Sequence, residues 1–229
     1  MKEHKEEKPG NLKIAIDGPA GAGKSTVARE VAKRLNIKYL DTGAMYRAVT
    51  LKMIRERVNL SDLEKVEDIL DNTSIEIGND KKVFLDDEDV TAEIRLPDVN
   101  EMVSPVSCLS VVRSRMVSAQ QSIAAEAGGI IMEGRDIGSK VMPDADFKFY
   151  LDASIDERAR RRKSEQINKG IALDQEAVVA EIKRRDHIDS KRDISPLTIV
   201  DNAIVVNTTK MTFEEVVDKI VGMVSKGLH

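Results

Sequence analysis

The stretch from Gly18 to Ser25, GPAGAGKS, matches the pattern G-x-x-x-x-G-K-[ST]. Glycines let such a loop fold tightly, so that its backbone N–H groups converge on phosphate oxygens at the start of a helix. The lysine of this pattern reaches the β- and γ-phosphates of a nucleotide, and the hydroxyl after it binds Mg²⁺. The sequence therefore predicts a nucleotide-phosphate site, with Ser25 as the Mg²⁺ ligand, formed by Gly18, Pro19, Ala20, Gly21, Ala22, Gly23, Lys24, Ser25 and Thr26.

A nucleotide site is shared by switches, motors and phosphotransferases, and the rest of the chain helps to separate them. A GTPase switch needs N-K-x-D to read guanine, but the nearest stretch, NKGI at 168–171, lacks the aspartate. A motor ATPase usually ends a second buried strand in Asp-Glu, whereas Asp152 is followed by Ala153 and Ser154. Transfer to a small acceptor is favoured. An acceptor that already carries a phosphate needs a second anion site near the donor.

Arginines near predicted strand ends are candidates for that second site. Arg47 lies one turn into a helix that opens at DTGAMYR, where Thr42 is the expected N-cap. Arg135, in EGRDIG, follows a strand at the edge where open parallel sheets place ligands. A solvated helix residue is the simpler interpretation of Arg47. The Arg135 motif is harder to dismiss, and a surface turn is the alternative for it.

Two further helices carry candidate charges. Arg113 borders an apolar stripe, so its side chain either snorkels to water or reaches a polar partner. Arg185, Asp189 and Arg192 are spaced i, i+4, i+7 and share one helix face. An ordinary charge ladder explains that spacing nearly as well.

The elements that position these residues alternate between strands and helices. Short β-like runs occur at residues 13–17, 38–40, 129–132, 147–151 and 203–206, and the apolar spacing of residues 24–35 predicts a helix. This order favours a parallel sheet. Residues 73–85 break the rhythm, because two alternating runs flank a polar turn at Gly78, Asn79 and Asp80. We therefore predict an inserted subdomain at about 61–95.

Composition limits the classes of protein and partner. The chain has 229 residues, 41% of them hydrophobic, and no apolar run near the roughly 20 residues that a membrane span needs. A net charge of −4, no tryptophan and 3% aromatic residues argue against binding to a nucleic-acid polymer. A single cysteine fits a reducing cytoplasm. Residues 1–10 are interpreted as a charged, disordered tail and not as a secretory signal.

Four motifs together, GPAGAGKST, DTGAMYR, EGRDIG and RDHIDSKRDISPL, closely resemble the bacterial cytidylate (CMP) kinase family of P-loop nucleoside monophosphate kinases. The resemblance runs from Ile14 onward. It implies a three-layer α/β P-loop fold with a five-stranded parallel sheet, a helical lid, and an inserted monophosphate-binding subdomain that contains a small antiparallel sheet. We accordingly expect a tail at 1–10, a kinase core at 11–60 and 96–229 with the lid near 158–172, and the insert at 61–95.

The resemblance also implies an activity and the residues that perform it. The γ-phosphate of ATP, bound with Mg²⁺, passes to CMP or dCMP by positioning and charge neutralisation, without a covalent intermediate. The implied catalytic residues are Lys24, Arg47, Arg135, Arg158, Arg161, Arg162 and Arg192, of which Arg158, Arg161 and Arg162 match the lid. The implied CMP-binding residues are Thr42, Tyr46, Arg47, Ser104, Arg113, Arg135, Asp136, Arg185, Asp189 and Arg192.

Each group of CMP-binding residues has an implied partner on the nucleotide. Arg47, Arg135 and Arg192 match the positions near the acceptor phosphate, and Thr42 and Tyr46 line its pocket. Arg185 and Asp189 match the positions that face the sugar. Ser104, Arg113 and Asp136 match the positions that read cytosine. The expected protein is a cytoplasmic monomer whose partners are ATP and CMP or dCMP.

Two other functions remain open on the sequence. The first is a P-loop kinase for shikimate or for another monophosphate. The second is a nucleotide-gated binding module whose insert docks a protein partner.

Overall fold

The computed structural model describes residues 11–78, 82–167 and 174–228. The predicted tail at 1–10, residues 168–172 of the predicted lid, and Asn79 and Asp80 of the predicted turn lie outside these ranges. In chain order, the strands are β1 (Lys13–Asp17), β2 (Lys38–Asp41), β3 (Ile75–Ile77), β4 (Val83–Leu85), β5 (Glu88–Asp89), β6 (Ile130–Gly134), β7 (Phe147–Asp152) and β8 (Ile204–Asn207). The helices are α1 (Lys24–Leu35), α2 (Thr42–Arg55), α3 (Leu63–Asp71), α4 (Pro97–Cys108), α5 (Ser110–Glu126), α6 (Ile155–Ile167), α7 (Gln175–Lys191) and α8 (Phe213–Gly227).

The central sheet has five parallel strands in the order β2-β6-β1-β7-β8, which confirms the predicted sheet. Strand β6 runs two residues further than the sequence predicted, because the pairing with β1 continues to Asp17 and Gly134. The carboxyl ends of β1, β2 and β6 therefore lie side by side. Parallel sheets of this kind place ligands beyond these ends.

Helices cover both faces of the sheet, as the three-layer prediction requires. On one face, Ile14 and Ile16 of β1 pack in a core with residues of α1 and α8. On the other face, Ala15 packs in a core with residues of α2, α4 and α5. Alternate residues of one strand thus enter opposite layers, which is the two-residue period of a β-strand. Within the described ranges, no helix is long and apolar enough to cross a membrane.

A small antiparallel sheet, β3-β4-β5, lies between the third helix and the 3₁₀ turn at Glu93–Arg95. Its pairing joins Ile75 to Leu85 and Ile77 to Val83, which confirms the predicted hairpin. The buried side chains of this region pack against Ala44, Ala48 and Leu51 of α2, and they include Val83, Leu85, Val90, Ile94 and Val99. The sheet therefore supports the helix that carries Arg47. The boundaries at 61 and 95 stay a prediction.

The expected N-cap of α2 was wrong by one residue. Asp41 caps the helix, since its carboxylate accepts the N–H of Ala44 at 3.0 Å. Thr42 is the first helical residue, and its hydroxyl donates to the Glu133 carbonyl at 2.7 Å. Asp41 ends β2 in an extended conformation, which leaves its carboxylate free to face the first turn and to interact favourably with the helix dipole. Thr42 instead joins α2 to the end of β6.

The phosphate loop begins with a close approach between β1 and β7. Gly18 has φ +148, and a Cβ at this position would lie 2.1 Å from the carbonyl oxygen of Leu151. No side chain fits without a shift of one of the two backbones. Glycine is therefore required at position 18 by packing as well as by the positive φ.

We predict that Gly18→Ala lowers the free energy of unfolding by roughly 3 kcal/mol, because the added methyl group displaces backbone at a strained φ. Gly128→Ala is the matched control, since a Cβ there meets nothing within 4 Å. Urea unfolding of both variants and the wild type measures the difference. Equal stability of the two variants would contradict the close approach.

Candidate active site

One cavity of about 750 Å³ lies beyond the carboxyl ends of β1, β2 and β6. The predicted site residues that line it are Ala20, Gly21, Gly23, Lys24, Ser25, Thr26, Thr42, Tyr46, Arg47, Ser104, Arg113, Arg135, Asp136, Arg161, Arg162, Arg185, Asp189 and Arg192. Gly18, Pro19, Ala22 and Arg158 lie outside its lining. Residues from distant parts of the chain thus surround a single space.

The phosphate loop opens onto this cavity through the start of α1. Gly23, with φ 90, precedes the helix, and no side chain caps the first turn. The N–H groups of this turn can therefore bind an anion, with the helix dipole in support. Lys24 Nζ donates to the Pro19 carbonyl at 2.8 Å. Burial, reinforced by the nearby Arg135, lowers the pKa of Lys24 to about 7.

Glu133, at the end of β6, is a site residue that the sequence reasoning missed. Its buried carboxylate accepts hydrogen bonds from the Ser25 hydroxyl and, at 3.3 Å, from the Tyr39 hydroxyl. Burial raises its pKa, and Asp41 adds to this effect. The signal was present, because Glu133 is the acidic residue at the end of a buried strand, in EGRDIG. The Ser25 and Glu133 oxygens lie together beside Lys24. Oxygen atoms of this kind are the ligands that Mg²⁺ prefers.

The part of the cavity around Arg47 and Arg185 concentrates positive charge. Arg47 is 8% exposed, and burial together with Arg185 and Arg95 lowers its pKa to about 9. Burial, followed by Arg135, lowers the pKa of Arg185 to about 10, and Arg185 Nε is buried without a hydrogen-bond partner. Arg95, at the end of the predicted insert, also lines the cavity and pairs with Asp41 at 2.9 Å. Sequence reasoning missed Arg95.

Carboxylates orient other arginines of the site. Arg135 Nε donates to Asp189 at 2.7 Å. Burial alone would lower the pKa of Arg135, but Asp189 raises it overall. Arg192 Nε donates to the Ser195 carbonyl at 2.6 Å, and Arg192 Nη2 lies 3.7 Å from Asp136. Arg185 and Asp189 of α7 line the cavity, and so does Arg192, which caps the helix in an extended conformation and does not share the predicted helix face. The stretch is therefore not a solvated charge ladder.

Arg113 and Asp136 form a buried pair deeper in the cavity. A terminal nitrogen of Arg113 donates to the Asp136 carboxylate, and the guanidinium lies 5.5 Å from the ring centre of Tyr46. Arg113 is 2% exposed, so it reaches a polar partner and does not snorkel. The Tyr46 hydroxyl and Arg113 Nε are buried without partners. Ser104 is buried and lines the same cavity.

The three predicted lid arginines take different positions. Arg158 donates to the carbonyls of Ala153 and Ala20 and to Asp186. Arg161 bridges the Ala22 carbonyl, at 3.3 Å, and Thr208 after β8. Arg162 lines the cavity and contributes to the lowered pKa values of Arg47 and Arg185.

A glycine loop at the carboxyl edge of a parallel sheet, facing an arginine-lined cavity, defines the chain as a P-loop phosphotransferase. The sequence profile described as cytidylate kinase matches residues 14–226. The chain belongs to the cytidylate kinase family. This confirms the family and the enzyme predicted from the sequence.

Curated relatives and one solved structure agree with this membership. A cytidylate kinase of Caldanaerobacter subterraneus subsp. tengcongensis is 51% identical over 94% of this chain and 95% of its own. One of Desulforamulus reducens is 50% identical over 93% of this chain and 97% of its own. The crystal structure of an uncharacterized protein from Eubacterium ventriosum has a TM-score of 0.51 at 14% identity, covering 94% of this chain and 99% of that chain. The last similarity shows the fold alone.

The lowered pKa of Lys24 gives a prediction on stability. Between pH 7 and about 10 the unfolded chain binds this proton and the folded one does not, so the Lys24 contribution makes stability rise with pH. Lys24→Met removes the titration while filling similar space. We expect the variant to be more stable than the wild type near pH 7, by about 1 kcal/mol or more, and the difference to shrink towards pH 9.

Chemical unfolding at pH 7, 8 and 9 measures this difference. A variant that is less stable than the wild type at every pH would show that Lys24 is a packing residue.

Proposed function

We propose that the cavity holds both substrates of a cytidylate kinase, with ATP on the phosphate loop and CMP or dCMP among the arginines. The γ-phosphate then passes directly to the acceptor and gives ADP with CDP or dCDP. The observation that carries this proposal is the cluster of buried arginines with lowered pKa values across the cavity from Lys24. Such a cluster is stabilised by a bound anion, and an acceptor phosphate supplies one.

On the donor side, the N–H groups of the loop and the start of α1 would bind the ATP phosphates. Lys24 lies next to them and would exchange its bond to Pro19 for the β- and γ-phosphates. Ser25 and Glu133 would hold Mg²⁺, which neutralises charge on the transferred phosphate when it is bound. The Tyr39 hydroxyl donates to the same Glu133 oxygen, Oε1, as the Ser25 hydroxyl does. We also propose that Arg161, between the loop and Thr208, borders the donor nucleotide.

On the acceptor side, Arg47, Arg135 and Arg192 would contact the phosphate of CMP, with Thr42 and Tyr46 beside it. Arg185 and Asp189 would face the sugar. Arg113 and Asp136 would read the base, together with Ser104. Charge-assisted contacts of this kind fix both the position and the orientation of a bound nucleotide.

No base is needed to create the nucleophile, because an oxygen of the acceptor phosphate is already an anion. Catalysis then depends on bringing two anions together and on neutralising the charge between them. Lys24 and Arg162 both line this cavity. Of the three lid arginines, Arg162 is favoured as the contact to the transferred phosphate, since Arg158 and Arg161 are bonded to the loop backbone.

We further propose a cytoplasmic monomer that takes ATP and CMP or dCMP and binds no nucleic-acid polymer. All the proposed contacts to both substrates come from one chain. The cytoplasm is where both nucleotides are available.

The test is ADP formation from MgATP with CMP, dCMP, UMP, AMP and shikimate as acceptors. We expect turnover with CMP and dCMP and far less with the others. ADP formation that needs shikimate would support the first alternative function. Slow hydrolysis that no small acceptor stimulates would support a binding module.

Asp136→Asn is expected to lower the preference for CMP over UMP. Cytosine offers an amino donor at position 4 where uracil offers a carbonyl acceptor, and a carboxylate can only accept. Polar readout in a dry pocket can discriminate by about 10⁴-fold, so the loss should appear chiefly with CMP. The measured quantity is the ratio of kcat/KM for the two acceptors. An unchanged ratio would remove Asp136 from base reading.

Arg162→Gln is expected to lower kcat by about 10²-fold with little change in KM, as for a group that acts mainly on the transition state. Lys163→Gln is the matched control, because Lys163 follows Arg162 on the same helix and is not among the residues that line the cavity. Steady-state kinetics with CMP measures both variants. Equal losses in the two variants would assign the effect to the general charge of α6.

A further inference from the structure

An ion pair between two helices holds both backbone polar groups of one residue in the phosphate loop. The N–H of Ala20 donates to Asp186 Oδ1 at 3.4 Å, and its carbonyl accepts from Arg158 Nη1 at 3.0 Å. Arg158 Nη1 also donates to Asp186 Oδ2 at 2.6 Å, which closes a ring of three residues. The Arg158 side chain is 6% exposed and that of Asp186 is 24% exposed. The pair is therefore screened less than a surface pair.

Such an anchor stiffens a loop in which, between two glycines, only Pro19 has a φ that is fixed by its own ring. Gly18 and Gly21 flank this part of the loop at φ 148 and 77. Glycine reaches these conformations easily and leaves them as easily. Amides that are ordered before a ligand arrives bind it better, because less conformational entropy is lost. Between the two glycines, Ala20 is held at both polar groups, and the Pro19 carbonyl accepts from Lys24 Nζ.

The anchor also connects the loop to the acceptor side. Asp186 lies on α7 directly after Arg185 and three residues before Asp189, and both of these neighbours line the cavity. Helices α6 and α7 pack through the buried residues Ala159, Val178 and Ile182. One helix thus holds the loop that receives ATP and carries two of the proposed contacts to the acceptor.

We infer that Arg158 and Asp186 are positioning residues that keep the phosphate loop in register with α7, so that binding at the donor and acceptor sites is mutually favourable. The inference rests on the proposed function of the cavity. An acceptor that orders α7 also orders the Asp186 carboxylate, and the loop that this carboxylate holds is then better prepared for phosphates. When one substrate is bound, less conformational entropy of the protein is therefore lost on binding the other.

A double-mutant cycle tests the pair. Isothermal titration calorimetry gives the Kd of a non-hydrolysable MgATP analogue for the wild type, Arg158→Gln, Asp186→Asn and the double variant, with and without CMP. We expect each single substitution to weaken binding of the analogue about tenfold. The double variant should bind no more weakly than the weaker single one, since the second substitution removes a group that has already lost its partner. Without the analogue, CMP should bind Asp186→Asn within about twofold of the wild type.

The effect of CMP on the analogue is the second measurement. In the wild type we expect CMP to lower the Kd of the analogue. In Asp186→Asn the ratio of the Kd without CMP to the Kd with CMP should fall towards one. A simple loss of structure would weaken CMP itself, which the titration without analogue detects. Asp156→Asn is the matched control, because it removes an exposed carboxylate from α6 without touching the loop. It should match the wild type in both measurements.

The possible failures are distinguishable. A wild type that binds neither the analogue nor CMP contradicts the proposed function. A wild type that binds both overturns the inference if CMP leaves the analogue Kd unchanged, or if the effects of the two substitutions simply add. The inference is also overturned if CMP lowers the analogue Kd in Asp186→Asn by the same ratio as in the wild type.

Discussion

Repulsion between buried arginines is the constraint on which the rest of the site depends. Burial lowers the pKa of both Arg47 and Arg185, and a neighbouring arginine lowers each further, Arg185 in the case of Arg47 and Arg135 in the case of Arg185. Side chains arranged in this way would separate if the backbone allowed it. The packed layers on both sides of the sheet, and the small sheet that supports α2, prevent that separation. The fold thus concentrates positive charge at a place where a bound anion would stabilise it.

Carboxylates reduce the positive charge of the site without cancelling it. Asp189 pairs with Arg135, and Asp136 pairs with Arg113, so these two guanidinium groups have fixed directions. Asp17 acts on the backbone. Its carboxylate accepts the N–H groups of Ile137 and Gly138 at 2.8 Å each, and it thereby holds the turn that follows Arg135 and Asp136. Burial raises the pKa of Asp17 to about 6, so this hold is strongest above that pH.

The sequence predicted the central sheet because each strand is a local apolar run and the loop motif dictates strand, loop and helix in order. It predicted most of the cavity lining because the relevant residues lie in short motifs at strand ends or on one helix face. It did not predict Glu133 or Arg95, whose roles depend on which distant elements meet at the cavity. The N-cap of α2 was wrong because Asp41 and Thr42 are both good caps, and only the end of β2 decides between them.

The spacing of the arginines on α6 explains why similar residues meet different partners. Arg158 and Arg162 are one turn apart on nearly the same face, while Arg161 is rotated away from that face by about 60° relative to Arg158. Arg158 reaches Ala20 in the loop, and Arg161 reaches the end of the loop and Thr208. Arg162 faces the arginine cluster. A helix is rigid over one turn. Fixing Arg158 on the loop therefore also sets how far Arg162 lies from phosphates bound to that loop.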